Sequence, residues 1–527
     1  MNYARALLVA VVATLLLAPP ALAAKGFSLG VTAGEVSSSS AVLWGKAKRS
    51  GDYAVDVSRN RRFTRFQRYS VTARKSHDNT VQKRVKRLKP GKRYFFRFVG
   101  RRGKRSARGT FVTAPKRTAN AAVEFAWSGD QDFNSEPGKT GPYWNTGGVL
   151  RQMRAEKNDF NVMLGDTIYS DSEVPGRLNP IALSVRQKWA KYRINLKNRQ
   201  LQALRRSAGF YSHWDDHEFV NDFSPQENSF DNNVNVNGAT LYKRGVKAFR
   251  DYAPVRWSKS NGLYRTARWG RNLQVFFLDE RSFRSANADA NHVCDNPQTH
   301  QPDLAPTAPQ TTRNVFAAVV PSLAEPVSKA CLDTIRSKNR TFLGKRQLGR
   351  FLRDIKRSTA RFKVVMNEMP IQQYYVAPAY DRWEGFEAER QHVLRELQKH
   401  VKNVVFLTTD VHATLVNDAR FKTLESGGPE NSGIMDVTVG PVATKNFTHE
   451  IEDTTGQPGS AAAVDLAFFT PPPPGGVGMQ CSVIDQFSYG HVTVTGNRLT
   501  VTPKDISGKP QMDGAKPCGP FVLDYKP

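Results

Sequence analysis

The ten residues FNVMLGDTIY, Phe160–Tyr169, pass from a short, mainly apolar run into a glycine and an acid. A run of that length, bounded by a turn residue, is the pattern of a strand buried on both faces. The same pattern recurs along the chain, in VEFAW (123–127), LQVFFL (273–278), FKVVM (362–366) and VVFL (404–407). Helix-length amphipathic stretches separate these runs, over 149–157, 182–201, 345–358 and 387–400. Strands alternating with helices predict an α/β layered domain, placed here over residues 121–527. No internal repeat is found, and PPPPGG (471–476) is read as a loop.

Open α/β sheets place their sites just beyond the carboxyl ends of strands. Acids stand at these places: SGDQD (128–132), GDTIY (165–169) and TDVH (409–412) follow strands, and HWDDHEFVND (213–222) sets several acids beside apolar neighbours. Buried carboxylates are costly unless something positive neutralises them. Arginine could do so for any one segment, but four segments gathered at one edge point to cations. An oxygen-rich set with one His and one Tyr suits hard ions such as Fe3+, Ca2+, Mn2+ or Mg2+.

Ahead of this domain the pattern is all-β. SAVLWG (40–45), YAVDV (53–57), 81–88 and YFFRFV (94–99) are short β-rich runs separated by turns such as KPGK (89–92). Residues 25–115 are expected to form a fibronectin/immunoglobulin-like sandwich, with a linker at 116–120. GFSLG (26–30) matches the G-x-S-x-G nucleophile elbow in letters, but more strands follow it where that motif needs a helix. Charge is concentrated here: the chain carries +30, and residues 25–115 hold 24 basic and 4 acidic residues. An anionic partner is expected, met first by this module.

Residues 1–24 pair Arg5 with an apolar run and an Ala21-Leu22-Ala23 end. This predicts a Sec-like signal peptide and a secreted protein with no transmembrane span. Four cysteines in an exported chain suggest two disulfides, and pairing of sequence neighbours (Cys294 with Cys331, Cys481 with Cys518) is preferred among three connectivities.

The order SGDQD, GDTIY, WDDHE, TDVH resembles the PhoD-type alkaline phosphatase/phosphodiesterase family of the metallophosphoesterase superfamily. LDERSFR (278–284), LGKRQLGRFL (343–352), NEMP (367–370) and DRWEGF (381–386) extend the resemblance over most of the chain. The resemblance implies a layered metallophosphoesterase-like core and a site similar to that of purple acid phosphatases, with Fe3+ and Ca2+. It implies that Asp166 bridges the cations, that Asp130, Tyr169 and His412 serve the iron, and that Asp216 and Asp410 hold the second ion. His217, with Asp215 beside it, would act near the leaving group, and Arg281 would contact phosphate. The family usually places Cys where Asp130 stands, so Mn2+ or another divalent ion remains open for the first position. A single Arg5 also departs from the twin arginines common in the family.

The expected function is hydrolysis of phosphate esters by a metal-bound hydroxide, in a monomeric enzyme. A phospholipase D-like or nucleolytic phosphodiesterase is the alternative within enzymes. The alternative outside them is an inactive surface protein that binds polyanions. The basic module is expected to meet teichoic acid, nucleic acid or acidic lipid.

Overall fold

A computed structural model describes residues 26–177, 180–229, 235–376 and 379–527, so the expected signal segment 1–24 lies outside the described residues. Two mixed sheets carry the larger part of the chain. The first has nine strands in the order Phe521–Asp524, Arg498–Asp505, Ser488–Val494, Val123–Ser128, Phe160–Met163, Gly209–Ser212, Val31–Gly34, Ala41–Lys46 and Thr80–Val85. The second has seven, in the order Arg265–Trp269, Leu273–Phe277, Phe362–Met366, Val404–Thr408, Glu430–Thr438, Thr414–Lys422 and Cys481–Val483. Val123–Ser128, Phe160–Met163 and Gly209–Ser212 run parallel, as do Leu273–Phe277, Phe362–Met366 and Val404–Thr408.

The two-residue period of a strand explains why these runs are apolar throughout. Phe125, Trp127, Val162 and Leu164 of the first sheet meet Val275, Phe277, Val364, Met366, Val405 and Leu407 of the second in one buried core. The alternate residues Ala126, Met163 and Phe210 face outward and are covered by helices Gly148–Ala155, Arg199–Arg205 and Gly238–Tyr252. Phe276, Val365 and Phe406 are covered likewise by Lys345–Lys356 and Glu387–His400. The result is helix, sheet, sheet, helix. The Trp127 indole N–H donates to the Thr408 carbonyl at 3.1 Å, tying the sheets together near the strand ends that carry the acids.

The helix expected over 182–201 is two helices, Val185–Asn195 and Arg199–Arg205. Asn198 breaks it, because its side chain caps the second helix by accepting from the N–H of Gln200 and Leu201. Ser184 starts the first with a capping box to Gln187.

The N-terminal strands build a sandwich in which Gln67–Ala73, Gly51–Ser58, Arg93–Val99 and Gly109–Val112 form one sheet. Its other sheet is the end of the nine-stranded one, since Val31–Gly34 pairs in parallel with Gly209–Ser212. GFSLG lies in turns that lead into a strand. The disulfides are Cys294–Cys331 and Cys481–Cys518, the neighbour pairing expected.

Candidate metal centre

Asp130, Asp166, Asp216 and Asp410 all stand within a few residues of the carboxyl ends of parallel strands, so the two sheets deliver them to one place. Ligand atoms of Asp130, Asp166 and His412 lie within 4.8 Å of one another. The same holds for Asp166 with Asp216 and His217, and for Asp215 with Asp216 and Asp410. Asp166 and Asp216 therefore join three overlapping groups into one cluster. The Tyr169 hydroxyl lies 3.0 Å from His412 Nε2. Asp130, Asp166, Asp410 and His412 have φ of 62°, 42°, 72° and 57°, a left-handed conformation that non-glycine residues seldom adopt. Such backbone, repeated at four groups of one cluster, marks a functional site.

The loops are locked by their own polar contacts. Glu218 accepts from the Thr167 and Asp215 N–H groups at 2.7 and 2.8 Å, joining the GDTIY and WDDHE segments. Buried Lys188 donates to Ser170 Oγ and to the Phe219 carbonyl, both at 2.7 Å, and joins them again. His412 Nδ1 is 2.5 Å from Glu450 and His217 Nδ1 is 2.6 Å from Asp171. Each ring thus keeps Nε2 for another partner. Gly440, at φ 127°, lies against Asp130, where an added Cβ would come within 2.5 Å of Oδ2.

Electrostatics show what the cluster lacks. Burial pushes the Asp130 carboxyl up to about 7, and burial with Asp216 and Asp215 holds Asp166 well above the usual range. Burial, then Asp166 and Asp130, raise the Tyr169 phenol far above its ordinary value, so a phenolate there requires a strong positive charge nearby. Burial would lower both imidazoles, but Glu450 raises His412 to about 9, and Asp171, Asp216 and Asp166 raise His217 well above normal. Both carboxylate oxygens of Asp130 and Oδ2 of Asp166 are buried without a hydrogen-bond partner. Orphaned carboxylate oxygens close to one another, with imidazole and phenol beside them, are a donor set that fits metal cations.

Arg281 stands apart from its expectation. It is fully buried, with Nε 2.5 Å from Asp215, Nη1 2.7 Å from Asp381 and Nη2 3.6 Å from Asp216, so its guanidinium is engaged by carboxylates of the cluster itself. Asp215 is held the same way, one oxygen on Arg281 and the other without a partner. Asp222 and Asp381 approach Asp216 within the same 4.8 Å limit, though neither was singled out from sequence. Asp171, Glu218 and Asp222 were legible, lying in or beside quoted motifs. Glu450 was not, because helix Phe447–Thr455 reaches the site only through the fold.

The cluster opens into a cleft of about 580 Å3, into which Asp216, His217, Asp410 and His412 face. Lys445 and Arg382 also line it.

Two sheets packed face to face, with carboxylates and imidazoles converging from their ends, form an α/β fold with a candidate metal centre at one edge. The chain belongs to the PhoD-like phosphatase family. The model of that family matches residues 133–473, and the model of the PhoD-like phosphatase N-terminal domain matches residues 14–115. Alkaline phosphatase D of Bacillus subtilis (strain 168) is 26% identical over 442 residues, covering 75% of this chain and 66% of that enzyme. The solved structure of PhoD superposes with a TM-score of 0.71 at 20% identity, covering 96% of this chain and 90% of the other. The purple acid phosphatase PPD1 from yellow lupin seeds gives 0.53 at 10% identity, covering 92% and 72%. No described helix is long and apolar enough to cross a membrane.

Proposed function

We propose that this chain is a metal-dependent hydrolase of phosphate esters. Asp130, Asp166, Tyr169 and His412 would hold one cation, and Asp166, Asp216 and Asp410 the other. The observation that carries this is the set of buried, partnerless oxygens on Asp130 and Asp166. Cations bound there supply Lewis acidity toward water and toward the phosphoryl oxygens. Fe3+ with Ca2+ is the proposed pair. Tyr169 supports the iron, while Asp130 in place of a thiolate leaves Mn2+ as the competitor.

The protein's own groups do the rest. His217, held by Asp171, whose carboxylate raises the imidazole pKa, lines the cleft, so it is placed to give a proton to the departing oxygen. Lys445, 2.8 Å from Asp453, and Arg382, 3.2 Å from Glu384, line the cleft wall as ion-paired cations. Arg281 holds Asp215 and Asp381 in place; with Arg284 it keeps the Asp381 carboxyl low, while burial pushes Asp215 up to about 7. Export behind the N-terminal segment is part of this reading, supported by the two disulfides, as is division into a basic module (25–115) and a catalytic domain (121–527). A docking role for the module toward an anionic polymer is supported by exposed Arg59, Arg61, Arg62 and Arg65.

Elemental analysis of the purified protein, beside assays on one monoester and one diester, tests the reading. Two cations per chain and hydrolysis of either ester are expected. A protein that binds no cation and cleaves neither ester would leave the polyanion-binding alternative.

A further inference from the structure

Phosphate is small and charged, yet most of the cleft beyond the cluster is neither. Its far wall is built by the loop closed by Cys294–Cys331 and by the segment 447–469. From the loop come Phe316, Val320 and Leu323, and from the other segment Phe447, Val464 and Phe468. Phe316 and Phe468 meet edge to face across the two, with centroids 5.4 Å apart. The loop is pinned by its own polar contacts. Buried Arg313 grips Asp303 with two hydrogen bonds of 2.6 and 2.8 Å and donates to the Ala305 and Glu325 carbonyls. A cation-bearing floor needs no such wall to bind a phosphate, and water filling an apolar chamber gains little from it.

Apolar residues also appear outside the chamber, on the segments that form it. Val315 is 69% exposed, Val319 45%, Leu304 39% and Leu466 72%. These four are among the ten exposed large apolar side chains described, and all lie on the two wall-forming segments. Isolated surface apolar residues need no explanation, but a group on the same segments as an apolar chamber does.

Resting on the phosphoesterase reading above, we propose that the chamber is a specificity pocket for the organic part of the ester. The substrate class is a phosphate ester with a hydrocarbon group of medium to long chain, its phosphoryl end on the Asp216–Asp410 side and its chain along Phe316, Val320 and Val464. Leu304, Val315, Val319 and Leu466 meet the remainder of the chain or the aggregate that presents it. Ligand sites of this volume typically combine apolar walls with convergent polar groups, and here the apolar side chains of the two wall segments stand beside a strongly charged floor and rim.

The test is a series of alkyl 4-nitrophenyl phosphate diesters from methyl to octyl, assayed with the cation-loaded full chain below their aggregation limits. Each methylene that enters the chamber should raise kcat/KM by about two- to fourfold, chiefly through KM. Val320→Asp and Val464→Asp, both only half-buried, should flatten the series, read as the ratio of octyl to methyl kcat/KM within each variant. Leu466→Ser should lower the ratio of the rate on octyl ester in detergent micelles to that on the free methyl ester. A flat series in the unsubstituted protein, with the methyl ester cleaved, overturns the pocket but not the phosphoesterase. Failure to cleave any member, with 4-nitrophenyl phosphate also untouched, overturns the function itself. A steep series unchanged in both aspartate variants places the chain elsewhere and also overturns the proposal.

Discussion

At the scale of single residues, the cluster is a set of groups that disagree until something positive joins them. Asp166→Asn keeps the shape of the side chain and removes the charge shared by two of the three overlapping groups. It should cut cation content and abolish hydrolysis while the circular dichroism spectrum and elution volume stay those of the parent. Full activity in that variant would remove Asp166 from the centre. Without cations, Asp130 holds its proton to about pH 7 in the fold but releases it near 4 when unfolded. The native state then binds more protons between these values, so stability falls as pH rises through that window. His412, raised to about 9 by Glu450, adds a loss of the same sign at higher pH. Chelated protein should therefore melt progressively lower from about pH 5 to about pH 9, and cation-loaded protein should not. Differential scanning calorimetry with and without chelator reads this directly. Asp171→Asn should lower the His217 pKa and shift the basic limb of the rate profile toward acid, with little change in cation content.

At the scale of elements, close approach between strands is as specific as the acids. Gly490 pairs with Trp127 across the sheet, and a Cβ on it would lie 2.0 Å from the indole ring. Gly490→Ala must displace the ring that also bonds the Thr408 carbonyl, so it should destabilise the protein by about 1–3 kcal/mol in denaturant titrations. An unchanged midpoint would mean that the indole moves freely. The Cys294–Cys331 bridge closes a loop with a sequence separation of 37 residues. Replacing both cysteines by serine should lower stability by about 4 kcal/mol on the loop-entropy estimate, read as a drop in Tm. It should also loosen the cleft wall and raise protease sensitivity between 295 and 330.

At the scale of the whole molecule, the basic module and the catalytic sheet are continuous. Removing residues 25–115 would strip Val31–Gly34 from Gly209–Ser212 and expose a strand that leads straight to His213. That deletion should yield insoluble protein, so it cannot separate docking from stability. Arg61, Arg62 and Arg65 are exposed and outside the shared strands. Changing all three to glutamate should weaken retention on an anionic polymer and flatten its salt dependence, with hydrolysis of a small ester unchanged. Equal retention of parent and variant would show these charges to be solvated only.

What the amino-acid order determined by itself was local and periodic. Apolar runs ending in Gly-Asp marked FNVML and VEFAW as buried strands and set acids at their ends, because a two-residue period and a chain reversal are properties of neighbouring residues. The neighbour pairing of the cysteines and the family resemblance were legible for the same reason, as each rests on short stretches. Other features were decided only by the tertiary structure. Asn198 divides a helix that periodicity joins, because capping competes with continuation where the next helix packs. Arg281 turns toward Asp215 and Asp381, 66 and 100 residues away in sequence, which spacing cannot convey. Glu450 reaches His412, and Phe316 reaches Phe468, because separate segments are folded over one cleft. The sandwich and the catalytic domain share a sheet, since strand pairing depends on which edges are left open when both have formed. Charge, burial and period are written along the chain, whereas the partner of a buried charge is set by packing in three dimensions.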